Sequence, residues 1–426
     1  MKRASRAIGL VLAAALAIAC LGGCSKEDPN QPVDGFTVIR FWNGFTGTDG
    51  ETMDEIVEAF NAEYESEKIK VVADKIPWDT LFTKLTTTSS NLRSAPHIVA
   101  MSASRIAGMN ERGIFTDMEG IEEFIGAEAD DYIPAAWEGG IIDGTRLGFP
   151  LDVHPTAMYY NKNLISEEEL PTTWDEFLDV CIEKTGDGIY GWAVPSMYSI
   201  AKDVFLNMLY SAGGSMFDEN DEPIFNSNVA VEKLEYLYDL VHGATPVAPE
   251  NVGAGGDFTL FTQGKSVFYF DGPWVINTLG LYDDPDSPYA VAPCPESIGE
   301  GETNFAGSHQ FTLMKNTVTT DAVREACYTF IKYVSEHSFD WAKAGQVPAL
   351  KAIHETAEYK ALEPIAAFTQ MAYTATLGEI DYQYWYEGYN NMGVAVSNAI
   401  SGVYSPKEAL DTAVADFKAW VEDEEL

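Results

Sequence analysis

The segment 37–101 alternates strand-like and helix-like sequence, and this alternation restricts the fold more than any other feature of the chain. Residues 37–42 have the β-branched and aromatic composition of a strand. A helix is predicted next, because apolar residues recur at spacings of three and four: Met53, Ile56, Val57 and Phe60. The pattern continues with a strand at 69–73, a helix around 81–85 and a strand at 98–101. Helical segments between successive strands predict parallel pairing and an α/β lobe.

A second α/β region follows the strand-like segment 147–160, which two prolines interrupt. Proline lacks a backbone donor, so we place Pro150 and Pro155 at strand edges or at a crossing between lobes. Thr173 and Glu176 have the spacing of a capping box that opens a helix. The clearest later strands are at 189–194 and 266–270.

The C-terminal part of the chain is predicted to be mostly helical. Ser405 followed by Pro406 is typical of a helix start, with a cap and a proline at the first helical position. About 390 residues follow position 35, which is more than one hydrophobic core usually supports. We therefore expect two domains.

The N-terminus has the form of a bacterial lipoprotein signal. Lys2, Arg3 and Arg6 precede an apolar run at 7–19, and Leu-Gly-Gly leads into Cys24. Such a segment is removable and is too short to span a bilayer. We predict a signal peptide at 1–23, a lipid on Cys24, and a polar tether over 24–35, so that the protein is anchored to the outer face of the cell membrane without crossing it.

Charge and cysteine content exclude several classes of protein. The formal net charge is −40, and loss of the three basic residues of the leader makes it −43. A body this acidic repels phosphate backbones, so we expect no nucleic-acid partner. The remaining cysteines are too few and too widely spaced for a disulfide framework or a zinc motif, which leaves one disulfide or three buried thiols open: Cys181, Cys294 and Cys327.

Several motifs fail on their context, so we predict no cofactor and no metal. Gly264, Lys265 and Ser266 look like the end of a phosphate-binding loop, but Thr259 stands where that loop needs glycine, and a strand follows. Gly264 is better explained as a helix C-cap. The six histidines show no H-x-H or H-x-x-x-H pairing, so a metal site would have to be assembled from distant segments. No G-x-S-x-G elbow is present either.

Aromatic residues beside turns are the feature that points to a ligand. Trp42 precedes Asn-Gly, Trp78 lies between Pro and Asp, and Trp274 follows Asp-Gly-Pro. Trp385 lies between two tyrosines. Aromatic faces next to polar groups suit a ligand that has flat C–H patches and a rim of hydroxyls, as a sugar does.

Four segments occur in an order that identifies a family. They are Phe-Trp-Asn-Gly-Phe-Thr-Gly at 41–47, Pro-Trp-Asp-Thr-Leu at 77–81, Asp-Val-His-Pro-Thr-Ala-Met-Tyr-Tyr-Asn-Lys at 152–162, and Phe-Asp-Gly-Pro-Trp at 270–274. In this order the chain resembles the extracellular solute-binding proteins of carbohydrate ABC transporters, the family that includes maltose-binding protein. It departs from that pattern at His97 and at Ser104, where acidic residues are usual.

The resemblance implies two α/β lobes that close on a ligand about hinge strands. We expect the first lobe to comprise 36–151 and 306–355, and the second to comprise 156–302 and 360–426. Crossings are expected near 152–155, 303–305 and 356–359. Trp274 is expected to stack on a sugar, and the resemblance adds further candidates for lining the cleft: Trp42, Asn43, Trp78, Asp79, Arg105, Asp152, His154, Asp271, Ser308, Trp385 and Tyr389.

The expected function is therefore that of a receptor and not of an enzyme. A monomeric lipoprotein of this kind would bind an oligosaccharide and deliver it to the permease subunits of an ABC importer. Two alternatives stay open on the residues alone. One is a receptor of the same fold for a polyol or a glycerophosphodiester, and the other is a lipid-anchored glycoside hydrolase with two carboxylates across the cleft.

Overall fold

The computed structural model describes residues 28, 30–88, 95–196, 200–298 and 303–424. The predicted signal peptide and Cys24 lie outside the described residues. Within the described part of the chain, no helix has the length and apolar character that spanning a membrane requires.

Strands and helices alternate along most of the chain. The strands are β1 (Thr37–Asn43), β2 (Ile69–Lys75), β3 (Ile98–Ser102), β4 (Phe115–Thr116), β5 (Ile141–Ile142), β6 (Thr145–Arg146), β7 (Gly148–Pro150), β8 (Asp152–Pro155), β9 (Ala157–Asn161), β10 (Tyr190–Trp192), β11 (Ser266–Asp271), β12 (Tyr289–Ala292), β13 (Asn304–Gly307), β14 (His309–Met314), β15 (Val347–Pro348) and β16 (Ala375–Thr376). The α-helices are Thr48–Glu63, Trp78–Thr88, Ile106–Asn110, Ile121–Ile125, Pro134–Glu138, Trp174–Lys184, Ala201–Ser211, Asn228–His242, Gly256–Thr262, Asp321–Glu336, Ser338–Lys343, Lys351–His354, Ala357–Lys360, Ala366–Tyr373, Trp385–Ile400 and Pro406–Glu424.

The first lobe is built on a sheet with the strand order β2-β1-β3-β14-β4, in which β7 also pairs with β14. β1 runs parallel to both β2 and β3, which confirms the parallel pairing predicted from the sequence. The helix Thr48–Glu63 buries the four apolar residues whose spacing predicted it. β14 enters this sheet antiparallel to β3, although a long stretch of chain separates the two strands.

The second lobe is built on a sheet with the order β10-β11-β9-β12. Residues Ser266–Phe270 of β11 are all buried, and the strand predicted at 266–270 is confirmed. The capping box at Thr173 is present, and its side chain accepts from the backbone N of Glu176 at the start of the helix Trp174–Lys184. Gly264 has φ +71° just after the helix Gly256–Thr262, so its predicted role as a C-cap is confirmed.

A small sheet with the order β15-β8-β13-β16 lies between the two lobes. β8 and β13 are antiparallel, with His154 opposite Gly307 and Pro155 opposite Ala306. These two strands coincide with two of the predicted crossings, and Pro150 and Pro155 each end a strand. The predicted lobe boundaries stay predictions.

The C-terminal helices complete the second lobe. Helices Trp385–Ile400 and Pro406–Glu424 pack against each other and against the helix Asn228–His242. The Ser405 hydroxyl accepts from the backbone N of Glu408, as the predicted cap requires. The cysteines that the structure describes are all free and buried, so three thiols replace the alternative of one disulfide: Cys181, Cys294 and Cys327.

Candidate ligand-binding site

A cavity of about 280 Å³ lies between the two lobes. Its wall includes the small sheet that joins the lobes, through Ala306, Gly307 and Ser308. Among the residues predicted from the sequence, eight line this cavity: Trp78, Asp79, Arg105, His154, Trp274, Ser308, Trp385 and Tyr389. The structure therefore brings together residues from distant segments of the chain. Whether they bind a ligand stays a prediction.

Trp42 and Asn43 do not line the cavity. Trp42 is 1% exposed, and its Nε1 donates to Asp74 at 3.0 Å. Asn43 is fully buried, and its side-chain oxygen accepts from the backbone N of Phe45 at 3.2 Å. Both residues support the end of β1, so the expectation that they face the cleft is corrected: their side chains turn into the first lobe.

Asp271 also lies outside the cavity lining. Its carboxylate accepts from the hydroxyl of Tyr269 and from the backbone N of Gly272, the latter at 2.8 Å. Burial raises the pKa of Asp271 to about 7. These contacts hold the turn that follows β11, and Trp274 on this turn enters the cavity with 38% of its surface exposed. Gly272 is required here, because a Cβ would collide with the indole of Trp274.

Asp152 is fully buried behind the cavity, where it orients two histidines. The Nδ1 atom of His154 lies 3.1 Å from its carboxylate, and the Nδ1 atom of His309 lies 2.9 Å from it. The Nε1 of Trp341 and the backbone N of His309 also donate to Asp152, each at 2.9 Å. Burial alone would raise the pKa of Asp152, but the charge of His309 and the hydrogen bonds from both histidines hold it far below its usual range.

Asp152 fixes the protonation of the two imidazoles. An ionised carboxylate only accepts hydrogen bonds, so each Nδ1 must carry the proton that it shares with Asp152. Burial is the largest cause that lowers the pKa of His154, and the charge of His309 lowers it further. The lowered pKa favours a neutral ring, whose Nε2 atom is a hydrogen-bond acceptor. The Nε2 atom of His154 lies over Gly307, where a Cβ would collide with it.

Aromatic rings form a continuous stack along one wall. Trp78 lies parallel to His309, with ring centroids 5.2 Å apart and planes 7° apart. His309 in turn stacks on His154 at 4.3 Å, and Trp274 meets the edge of His154 at 6.0 Å. Sequence reasoning missed His309, because no local motif links it to a strand that lies 157 residues earlier in the chain.

A second wall of the cavity is built around the helix Trp385–Ile400 of the second lobe. Trp385 and Tyr389 stack at 5.3 Å, and Phe305 stacks on Trp385 at 6.0 Å. The hydroxyl of Tyr389 donates to Asp203 at 2.6 Å, and the ammonium group of Lys202 lies 4.1 Å from the Tyr389 ring. Asp203 and Lys202 are further residues that the sequence did not indicate, because an acidic and a basic residue at a helix start are typical of a solvated surface.

Arg105 lies against two aromatic rings in the cavity lining. The carbon of its guanidinium group lies 3.7 Å from the ring centre of Phe82 and 3.4 Å from that of Tyr386. Burial lowers the pKa of Arg105, whereas Tyr386, Asp79 and Glu387 raise it. Cation–π contacts on both faces favour the charged form.

The Asp152, His154 and His309 cluster is the one group of described residues with the composition of a metal site. One ligand atom from each residue lies within 4.8 Å of the others, and a carboxylate with two imidazoles suits zinc or another late transition metal. The sequence predicted no metal. In this geometry both Nδ1 atoms already lie at hydrogen-bonding distance from the carboxylate, so an ion would have to replace two protons.

Comparison with known proteins matches the chain to one family of binding proteins. A family model described as bacterial extracellular solute-binding protein matches residues 55–367. An arabinooligosaccharide-binding protein of Halalkalibacterium halodurans is 25% identical over 256 residues, which cover 56% of this chain and 55% of the relative. The chain thus spans little more than half the length of that relative. The maltodextrin-binding protein MdxE of Bacillus subtilis is 24% identical over 386 residues, or 86% of each chain.

Solved structures show the same fold. The GacH receptor of Streptomyces glaucescens superimposes with a TM-score of 0.77 at 19% identity, covering 91% of this chain and 98% of that one. A cyclic α-maltosyl-1,6-maltose binding protein from Arthrobacter globiformis gives a TM-score of 0.74 at 22% identity, with coverages of 90% and 99%. The predicted α/β fold with two lobes is therefore confirmed.

Proposed function

The chain belongs to the family of bacterial extracellular solute-binding proteins, and we propose that it captures an oligosaccharide between its two lobes for delivery to an ABC importer. The observation that carries this proposal is the interlobe cavity, which has aromatic faces on two walls and hydrogen-bonding groups between them. Such a lining is suited to the apolar faces and hydroxyl rim of a sugar.

The polar groups in the wall support a ligand with many hydroxyls. The Nε2 atom of His154 can accept a hydrogen bond from a ligand in the cavity. Asp79, Asp203 and Lys202 supply acceptors and donors on both lobes. A buried group left without a partner costs about 1 to 3 kcal/mol, so a ligand that pairs several of these groups is favoured over one that pairs few.

The relatives support the choice of ligand class. Two of them are named for binding arabinooligosaccharide and maltodextrin, and a further relative from Bacillus subtilis is named for binding galactooligosaccharide. We extend that class to this chain and leave the sugar unspecified. A ligand that contacts both lobes at once would shift an open and closed equilibrium toward the closed form, which a permease could then recognise.

The other candidate functions have weaker support. A glycerophosphodiester carries a negative charge, whereas the lining contains two carboxylates, Asp79 and Asp203, beside its two cationic side chains, Arg105 and Lys202. A glycoside hydrolase would need two carboxylates at the reacting bond. The cavity lining contains Asp79 and Asp203, and Asp203 is already bound by Tyr389. We therefore propose a receptor without catalytic activity.

The proposed cellular arrangement rests on the sequence. Cys24 would carry the lipid, residues 24–35 would form the tether, and the body would act as a monomer at the outer face of the membrane beside the permease subunits.

Thermal unfolding of the body from Asp34 onward tests the proposal, with arabino-, malto- and galacto-oligosaccharides, polyols and glycerophosphodiesters as separate probes. A ligand at a hundredfold its Kd stabilises a protein by about 2.7 kcal/mol. A rise of the unfolding midpoint with one class of oligosaccharide, and no cleavage of that sugar on prolonged incubation, supports a sugar receptor. A rise with phosphodiesters alone, or release of shorter sugars, contradicts it.

A further inference from the structure

Arg105 separates two neighbouring cavities. The interlobe cavity lies on one side, and a larger groove of about 680 Å³ lies on the other. Four residues belong to the lining of both: Phe82, Ser104, Arg105 and Tyr386. Because the guanidinium group lies between the Phe82 and Tyr386 rings, these three side chains form one partition, which we call the Arg105 bar.

The Arg105 bar joins the two lobes. Phe82 and Arg105 follow strands of the first sheet, whereas Tyr386 lies on the helix Trp385–Ile400 of the second lobe. The backbones of the lobes also approach closely here, since a Cβ on Gly108 would collide with the carbonyl oxygen of Gln383. A ligand that passed this point would have to displace the Arg105 bar.

The outer groove has the chemical character of a sugar-binding surface. The first lobe contributes Thr83, Met109 and Arg112 to its walls, and the second contributes Tyr384 and Trp420. Trp420 is partly buried against the Tyr384 ring at 5.3 Å. The groove could hold further sugar units if the Arg105 bar were absent.

We propose that Arg105 is the end wall of the ligand site and limits the length of the oligosaccharide that the protein accepts. This inference rests on the proposed function. The interlobe cavity of about 280 Å³ lies just below the usual range for ligand sites, about 300 to 1,000 Å³, which fits a short sugar. A longer chain would lose the two cation–π contacts of Arg105 or leave its last units outside the cavity.

The experiment compares binding of linear ladders of each sugar class, from monosaccharide to hexasaccharide, by isothermal titration calorimetry. In the wild type we expect the affinity to peak at a short length and to fall by about tenfold or more for longer members. Arg105→Ala and Tyr386→Ala open the partition from opposite lobes. Each variant is expected to bring the long sugars within about threefold of the best short sugar.

One matched variant serves as a control. Arg112→Ala removes a guanidinium group from the outer groove but not from the Arg105 bar, and it should leave the length profile unchanged. A variant that folds poorly would lose binding, whereas the expected result is a gain of binding for long sugars. Such a gain in either Arg105→Ala or Tyr386→Ala therefore supports the end wall.

Two results overturn the inference by itself. The first is a wild type that binds all lengths alike, and the second is a length preference that persists in both Arg105→Ala and Tyr386→Ala. If no oligosaccharide of any length binds the wild type or the variants, then the proposed function and the end wall are both overturned.

Discussion

The indole of Trp341 donates to the carboxylate of Asp152 at 2.9 Å across 189 residues of sequence. Both residues are fully buried, and the same carboxylate also accepts hydrogen bonds from the His154 and His309 rings of the cavity wall. One side chain thus links the small sheet β15-β8-β13-β16, a helix of the first lobe and the candidate ligand site. Asp152 therefore acts on the site by positioning other residues.

Replacing Asp152 by Ala should lower the free energy of unfolding by about 3 kcal/mol or more. The change leaves the Trp341 indole, the His309 backbone N and two imidazoles without their acceptor, and each buried unpaired donor costs about 1 to 3 kcal/mol. Urea unfolding measures the effect. Asp179→Ala, at an exposed carboxylate within a helix, should change stability by less than about 0.5 kcal/mol. Equal effects of the two substitutions would contradict a structural role for Asp152.

Trp274→Ala should weaken binding of the oligosaccharide by about thirtyfold or more, because a large aromatic face would be lost from the site. Its stability should change little, since the side chain is 38% exposed. Phe124 is 40% exposed on the first lobe and outside the cavity, so Phe124→Ala is the matched control and should bind normally. Calorimetric titration of both variants with the oligosaccharide measures the difference in binding. Normal binding by Trp274→Ala would remove this residue from the site.

The contribution of Asp271 to the free energy of unfolding should fall as the pH rises from about 4 to about 7. Its pKa is raised by burial from 3.8 to about 7, so in this window the unfolded chain has released the proton that the folded chain still holds. The free energy of unfolding then falls with rising pH, at a slope of at most about 1.4 kcal/mol per pH unit.

Asp271→Asn isolates this effect, because the amide oxygen can still accept from the backbone N of Gly272, the amide nitrogen can donate to the Tyr269 hydroxyl, and the side chain does not titrate. The variant should match the wild type near pH 4 and exceed it in stability at pH 8. Urea unfolding at both pH values provides the comparison. A constant difference between wild type and variant across the range would show that Asp271 does not titrate as described.

The three cysteine thiols of the body should be unreactive in the native protein. All three are buried and free, and burial raises the pKa of the Cys294 and Cys327 thiols. A thiol reagent applied to the chain from Asp34 onward should detect almost no thiol in the native protein. It should detect three thiols once the protein is unfolded in concentrated guanidinium chloride. Detection of only one thiol in the unfolded, unreduced protein would reveal a disulfide instead.

Cys24→Ser should release the protein from the membrane. If the leader is processed as a lipoprotein signal, then the variant loses the acylated residue, while the folded body is unchanged. Fractionation of cells into membrane and soluble material provides the measurement. A variant that stays in the membrane fraction would indicate another means of attachment.

Local sequence signals predicted much of the fold. The spacing of Met53, Ile56, Val57 and Phe60 predicts the helix Thr48–Glu63, and the capping box at Thr173 predicts where another helix begins. The antiparallel entry of β14 between β3 and β4 was not predicted. Strand composition shows that a segment pairs, but it does not identify a partner far away in the sequence.

The site was harder to predict than the fold. Trp42 and Trp274 both lie beside turn residues, yet Trp42 packs inside the first lobe and Trp274 reaches the cavity. Trp42 lies within β1 and Trp274 in the turn after β11, and composition does not encode the direction in which either side chain points. His309 could be found only once β14 was placed beside β8, because its partner Asp152 lies on another strand.

The position of β14 within the first sheet has a consequence for how the chain folds. This strand pairs with β3, β4 and β7, so the first lobe has no complete sheet until residues His309–Met314 have been synthesised. Contacts between segments this far apart close slowly. An N-terminal fragment that ends before β14 should therefore stay unfolded, and the nascent chain should remain in a form that can be threaded through a membrane until most of its length has been made.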